Sequence, residues 1–509
     1  MHPRRSILYN ALVLTGVNLL LRGIGMLFQV WLSGLIGAAG VGLLQLVLTV
    51  GGFAMTLGLS GVRTAAMYLC AEEYGAKRAG GVRRAMELCL LYGLFFSTLT
   101  ALLLYVNAPL IAARWVKDAN ALPALRLLAV GLPLNCAVCI LSGYFTACGK
   151  LRRLVAAEVA EQIIALLLTV LLLRTRTGRG AAEACLMIVL GSMLATLCTA
   201  VWLGLALFHD LRGCGMPPRG HQLPRRLLRL CVPLALGEYL RSGLRTLEQF
   251  LIPFGLTASG HTGAQAMTAY GTICGMVFPI LMFPAAVLYA LSELLVPELA
   301  RCRAAGSVLR VRHLCERCLR MGLLYSCCVG GMMFLCAPAL GTLIYQSAEA
   351  GRYLRLFAPL IPILYTDAIV DGMCKGLGLQ VACVRNNTIT SVLDVALLFI
   401  LLPRLGIGGY FFSFTVTHVL NFYLSVLLLL RAADCAPDAR FLTSLLLSTV
   451  LPAALCTLLP APSGAWGIML SCAVFLSLHL LLSRLLGVLT QDDRRWLRRT
   501  LRTAARASG

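Results

Sequence analysis

Read in windows of about twenty residues, the length that crosses a bilayer as a helix, the chain presents about fourteen apolar stretches. They are centred near Leu21, Phe53, Phe96, Leu134, Leu166, Met193, Arg241, Pro279, Gly331, Pro362, Leu397, Phe414, Leu451 and Phe475. A segment in lipid has to satisfy its backbone N–H and C=O groups internally, and an α-helix does so within a single stretch of chain. The expectation is an all-α polytopic membrane protein with about 14 transmembrane helices. Composition agrees: of 509 residues, 59% are apolar and 13% charged, against roughly 25% charged in soluble domains. A soluble enzyme is excluded. Nor does the net charge of +23 point to nucleic acid, because the basic residues sit in short segments between apolar runs and form no single patch.

Those basic residues set the expected topology. The run from Ile7 to about Ile36 is too long for a signal peptide and carries Arg22 in its middle, so it reads as the first transmembrane helix. With the N-terminus inside, thirty of the 44 Lys and Arg fall in segments on the inner side, eight on the outer side and six within spans. That asymmetry predicts both termini inside. A faint repeat runs through the same spans. Arg22 and Gln29 recur as Arg241 and Glu248 at an offset of 219, Ser60 as Ser292 at 232, and Gly143 and Gly149 as Gly372 and Gly378 at 229. The predicted division is two pseudo-symmetric six-helix lobes in a V shape, residues 1–229 and 230–432, followed at 433–509 by two further helices and a basic tail. Two-fold repeats of this kind are a signature of transporters.

Polar residues inside the spans carry the functional reading. A charge at the bilayer centre costs about 2.5–3.5 kcal/mol, so four deep arginines would cost on the order of 12 kcal/mol unless something compensates them. At 100° per residue, Asn18, Arg22 and Gln29 share one face of the first helix, and Gln45, Thr49, Thr56, Ser60 and Arg63 share one face of the second. Glu238, Arg241, Arg245 and Glu248 do the same in the seventh. These stripes are expected to line a common interior and to bind an anionic substrate. The alternative is that Arg241 with Glu238 and Arg245 with Glu248, at i,i+3, neutralise one another. A second, acidic set comprises Glu158 and Glu161 in the fifth span, Asp367 and Asp371 in the tenth, and Asp394 in the eleventh. Glu161, Asp367, Asp371 and Asp394 are the candidates for ion coupling, although Lys375 could equally neutralise Asp371. His418 and Asn421 read as packing polars.

The 21 cysteines lie mostly in apolar runs, where a thiol behaves as a small hydrophobe. Cys302, His313, Cys315 and Cys318 have no zinc-motif spacing, and no metal or cofactor is expected. The loops are too short for a catalytic domain and hold no P-loop. The expectation is a carrier or flippase, not an enzyme.

Three stretches bring a family into view. They are Ser142-Gly143-Tyr144-Phe145 through Gly149-Lys150 with Glu161-Gln162-Ile163; Ala269-Tyr270-Gly271 with Gly275-Met276 and Phe283-Pro284; and Leu291-Ser292 with Leu295-Val296-Pro297-Glu298-Leu299. Together they resemble the stage V sporulation protein B family of the multidrug/oligosaccharidyl-lipid/polysaccharide (MOP) exporter superfamily. The resemblance implies a flippase in the bacterial cytoplasmic membrane that moves an undecaprenyl-diphosphate-linked saccharide, lipid II or a related cell-wall precursor, by alternating access. It implies coupling to the membrane potential, Na+ or H+, and membrane lipids and cell-wall synthesis proteins as partners. Related lipid II flippases carry arginines around the diphosphate on their first, second and eighth helices, and line a lipid groove with the last two. Arg22 and Arg63 match the first two placements, whereas here the later arginines, Arg241 and Arg245, fall in the seventh span. Two other functions stay open: a cation-coupled drug or metabolite antiporter of the same superfamily, and a non-transporting membrane scaffold for spore or cell-wall assembly.

Overall fold

The computed structural model describes residues 3–59, 61–75, 78–174, 180–212, 223–435, 438–458 and 464–489. In chain order its helices are α1 (Pro3–Leu59), α2 (Val62–Gly75), α3 (Ala79–Leu110), α4 (Leu122–Ala147), α5 (Leu151–Arg174), α6 (Ala181–Leu211), α7 (Leu223–Ala258), α8 (Gly263–Tyr270) and α9 (Phe278–Met282). They continue as α10 (Ala286–Ala304), α11 (Val308–Tyr345), α12 (Ala348–Phe357), α13 (Ile361–Gly376), α14 (Gln380–Leu405), α15 (Ile407–Ala433), α16 (Ala439–Thr457) and α17 (Gly464–Leu485). No strand occurs among the described residues. The all-α expectation holds.

Twelve helical segments are long and apolar enough to cross a membrane. The first of them, Leu20–Leu59, is two spans in one helix, because Gly37 breaks α1 at φ 70°, ψ 173°. Only glycine takes that left-handed φ without steric cost. Helix α7 is 36 residues long but falls outside the apolar set, since it carries Arg225, Arg226, Arg229, Glu238, Arg241, Arg245 and Glu248. Counting α1 as two and adding α7 recovers the fourteen spans expected from sequence. The eighth and tenth are built from pieces. A π-helical turn at Gly271–Val277 joins α8 to α9, and a 3-10 turn at Ala358–Leu360 joins α12 to α13. Prolines explain the second break, since Pro359 and Pro362 lack the N–H that a continuous helix needs.

The helices form two compact units, Met1–Gly34 with Thr272–Gly509, and Leu35–Gly271. In the second, α2, α3 and α4 pack mutually and α6 packs on α4 and α5. Its core holds Val62, Leu69, Met86, Ile140 and Phe145 together with Cys70, Cys89, Cys136 and Cys231. The cysteines of this core are packing residues, as their apolar surroundings predicted, and the described cysteines are free thiols. In the first unit, α11 is the hub, packing on α12, α13, α16 and α17, while α13 also meets α10 and α15. Phe278, Phe357, Tyr410 and Phe414 interlock there with ring centroids 5.3–6.0 Å apart.

The repeat read from glycines has a structural counterpart. Helix α4 ends with Cys148 N–H donating to Tyr144 O, Gly149 N–H to Thr146 O and Lys150 N–H to Phe145 O. Helix α13 ends with Leu377 N–H to Met373 O, Gly378 N–H to Lys375 O and Leu379 N–H to Cys374 O. The pattern is identical residue for residue, with Gly149 at φ 70° and Gly378 at φ 71°. Both are left-handed glycine caps that return the last carbonyls of a helix to hydrogen bonds. The lobe boundaries at 229 and 432 are a division by repeat and remain a proposal.

Candidate functional site

Three of the four arginines of the polar stripes belong to the unit Leu35–Gly271, although Arg63, expected in the second span, lies beyond its end at Leu59. Arg63 lies in the first turn of α2, and Arg241 and Arg245 lie one turn apart on α7. All three side chains are exposed. Helix α7 is pinned to the second half of α1 by two polar contacts, Tyr239 Oη donating to Leu57 O at 3.1 Å and Ser242 Oγ to Thr56 Oγ1 at 3.2 Å. Of the polar stripe of the second span, Thr56 therefore meets α7 at Ser242, beside the charged stripe of that helix. Arg241 Nη1 is 3.6 Å from Glu238 Oε1, so one of the two neutralising pairs anticipated from spacing forms. The other is not seen: neither Arg245 nor Arg63 makes an ion pair among the described residues, and Glu248 is not without a partner. Arg63 is near enough to Glu158 to act on it electrostatically. Glu161, one turn further along α5, accepts a 2.8 Å hydrogen bond from Thr196 Oγ1 of α6.

The fourth arginine, Arg22, belongs to the other unit. Its guanidinium stands 5.5 Å from the ring centroid of Tyr289 on α10, a cation–π contact. Gln29, expected on the substrate-binding stripe, donates from Nε2 to Gly275 O in the π-helical turn at 3.1 Å. Its amide joins two helical segments. The side chains of Asn18 and Ser60 lie outside the described residues.

The acidic candidates of this unit gather where α13, α14 and α15 meet. Asp394 is buried, and its Oδ1 accepts from Ser413 Oγ at 2.8 Å and from Thr417 Oγ1 at 3.0 Å. Asp367 accepts from Asn421 Nδ2 at 3.2 Å, and Thr390 Oγ1 donates to Asn421 Oδ1 at 3.3 Å. Asp367 Oδ1 is buried with no hydrogen-bond partner among the described residues. Asp371 pairs with Lys375 at 2.6 Å, the neutralisation that the i,i+4 spacing allowed. His418 stacks on Phe414 at 3.9 Å and contacts Phe414 O at 2.9 Å through Nδ1, in keeping with its packing role. Ser413, Thr417, Thr196 and Tyr289 were not singled out from sequence. Hydroxyls i,i+4 on one helix, as Ser413 and Thr417 are, were the legible signal for the first two. Among the described residues no group of three or more His, Cys, Asp or Glu could hold a metal ion.

A duplicated set of membrane-length helices with arginines and buried carboxylates among them is the pattern expected of a membrane carrier. The MatE family model matches residues 14–171 and again 247–400, and the chain belongs to the MatE family. It is 24% identical over 415 residues to Stage V sporulation protein B of Bacillus subtilis (strain 168), covering 80% of each chain. It is also 24% identical over 183 residues to Sporulation protein YkvU of the same organism, covering 36% of this chain and 41% of that one. The fold is similar to that of the lipid II flippase MurJ in an inward closed conformation, with a TM-score of 0.69 at 11% identity over 93% of this chain and 98% of that one. It is similar too to an inward-facing multidrug resistance MATE family transporter of the MOP superfamily, with a TM-score of 0.63 at 16% identity over 82% and 96%. The resemblance to the stage V sporulation protein B family is borne out. The protein is a multi-pass membrane protein of the MatE family.

Proposed function

We propose that this protein is a flippase that moves an undecaprenyl-diphosphate-linked oligosaccharide, lipid II or a related cell-wall precursor, from the inner to the outer leaflet of a bacterial cytoplasmic membrane by alternating access. Both termini are inside in this reading. The observation that carries it is the exposure of Arg245, within α7, and of Arg63, in the first turn of α2 just past the second span, with no carboxylate in an ion pair to either among the described residues. Leaving guanidinium groups unpaired within a bilayer is costly, and a diphosphate supplies the bidentate acceptors they lack. Similarity of fold to a lipid II flippase is in keeping with that substrate class. Cell-wall synthesis proteins are the partners this reading suggests.

The deciding measurement is a leaflet-accessibility assay with purified protein in liposomes, comparing lipid II, undecaprenyl phosphate and a cationic dye. Movement of lipid II is expected, and movement of the dye alone would establish the antiporter instead. Outward transfer of about two negative charges gains on the order of 4–5 kcal/mol at 100 mV, inside negative. Collapsing the potential at constant pH should therefore slow flipping. An unchanged rate would mean that a co-transported cation or the moving arginines cancel the charge.

The antiporter has an observation in its favour, the acidic network of Asp367 and Asp394, and in the flippase reading that network is the coupling site for Na+ or H+. Asparagine at 394 keeps the volume and an acceptor for the Ser413 and Thr417 hydroxyls but removes the charge. Asp394→Asn is expected to leave abundance unchanged and to abolish the response of transport to Na+ and pH gradients. A gradient response equal to that of the unaltered protein would exclude Asp394 from coupling.

A further inference from the structure

A second cationic site lies apart from the arginine stripes, within the unit Leu35–Gly271. Helix α3 ends in a π-helical turn, Ile111–Val116, and the chain leaves that turn through Lys117 in the left-handed conformation at φ 58°. There a cavity of about 320 Å³ is lined by Arg114, Trp115 and Lys117, by Leu247, Phe250 and Phe254 of α7, and by further apolar residues of α1 and α8. Trp115 packs edge-to-face on Phe250 at 5.2 Å, and Lys117 Nζ stands 4.9 Å from the Phe254 ring centroid. Two positive charges line the cavity and no acidic residue does. Among the described residues neither Arg114 nor Lys117 makes an ion pair.

We infer that this cavity binds the phosphate headgroup of an anionic phospholipid, with Arg114 and Lys117 on the phosphate and the Trp115, Phe250 and Phe254 rings against the glycerol and upper acyl chains. Three features favour a lipid over free phosphate. The wall is mostly apolar, which a small inorganic anion has no use for. A tryptophan beside cations at a helix end is the composition of a membrane–water interface. Arg114 and Lys117 also stand at the very end of the apolar span Gly80–Val116, the level at which headgroups lie. The site is independent of which substrate the protein carries.

Trp115 is a built-in reporter. The full chain is reconstituted in vesicles containing brominated phosphatidylglycerol or brominated phosphatidylcholine, and the quenching lost in Trp115→Phe is assigned to the cavity. Two cations facing one anionic headgroup should bring half-maximal quenching at roughly tenfold lower mole fraction of phosphatidylglycerol than of phosphatidylcholine. The preference should vanish in Arg114→Gln/Lys117→Gln while quenching by phosphatidylcholine stays, which shows that the cavity is still formed. Arg404→Gln, which removes a cation from the end of α14, should keep the preference. Equal quenching by the two lipids, or a preference that survives the double substitution, overturns the proposal. So does complete loss of the preference on adding millimolar inorganic phosphate, which would make this a site for the free anion.

Discussion

Alanine at Arg63 or Arg245 is expected to reduce flipping of a diphosphate-linked lipid by about 30-fold or more, since removing one member of a desolvated charge pair costs about 2–5 kcal/mol, with no loss of folded protein. The second half of that expectation comes from the structure. A guanidinium that holds a helix bundle together does so through a partner, and its removal leaves that partner's charge stranded in the membrane. Arg63 and Arg245 have no such ion-pair partner among the described residues; Arg63 acts on Glu158 only through its field, so removing it strands no hydrogen-bonded acid. Arg241 differs, with Glu238 at 3.6 Å, and Arg22 differs again, resting over Tyr289. Arg241→Ala should therefore lose both transport and some abundance, and adding Glu238→Gln should return abundance without returning transport. Lysine at any of the four positions should rescue only in part, because an ammonium keeps the charge but not the planar fork that engages two phosphate oxygens at once. Flipping rates and membrane abundance measured together separate the two roles. Normal transport by all four alanine variants would make the arginines helix glue.

What the sequence revealed and what it hid follow from the range of the forces involved. Spans were legible because insertion depends on local apolarity, and even α7, the most charged of them, reads as an apolar stretch centred near Arg241. The cap at Gly149 and its copy at Gly378 were legible as well, because a left-handed turn is a local demand for glycine. The i,i+4 pair of Asp371 and Lys375 could be read from spacing alone. Partners across helices could not. Nothing near Arg22 announces Tyr289, and nothing near Glu161 announces Thr196, because those contacts depend on how distant segments pack. Gln29 shows the limit of the stripe argument. A polar residue on an apolar helix has to meet something, and periodicity does not distinguish a ligand cavity from a carbonyl of another helix. Gln29 meets Gly275 O. The same ambiguity applies to Asp394, whose hydroxyl donors on α15 both stabilise its charge and form the oxygen-rich setting that a coupling cation needs.

The largest structural effect is expected from one methyl group, at Gly271. This residue begins the π-helical turn after α8 and packs against the second half of α1 inside the same unit. A Cβ placed there would stand 1.9 Å from Ala38 O and 2.6 Å from Gly42 N. Both obstacles are backbone atoms, so no rotamer change relieves the overlap, and the two helical segments have to move apart. Close backbone approach through small residues is how membrane helices gain packing energy where no hydrophobic effect drives them together, and separating them forfeits that contact along its length. Gly271→Ala should destabilise the protein by about 3 kcal/mol or more, the upper range for overpacking, and should be seen as lost abundance and a lowered unfolding temperature in detergent. Gly204→Ala is the matched control, a mid-helix glycine on α6 with nothing within 4 Å of the added Cβ. It should be neutral or slightly stabilising, since alanine is favoured over glycine in a helix by up to about 1 kcal/mol. If Gly271→Ala is as well folded as Gly204→Ala, the approach of α8 to α1 is looser than described, and the small-residue contact between them does not hold this unit together.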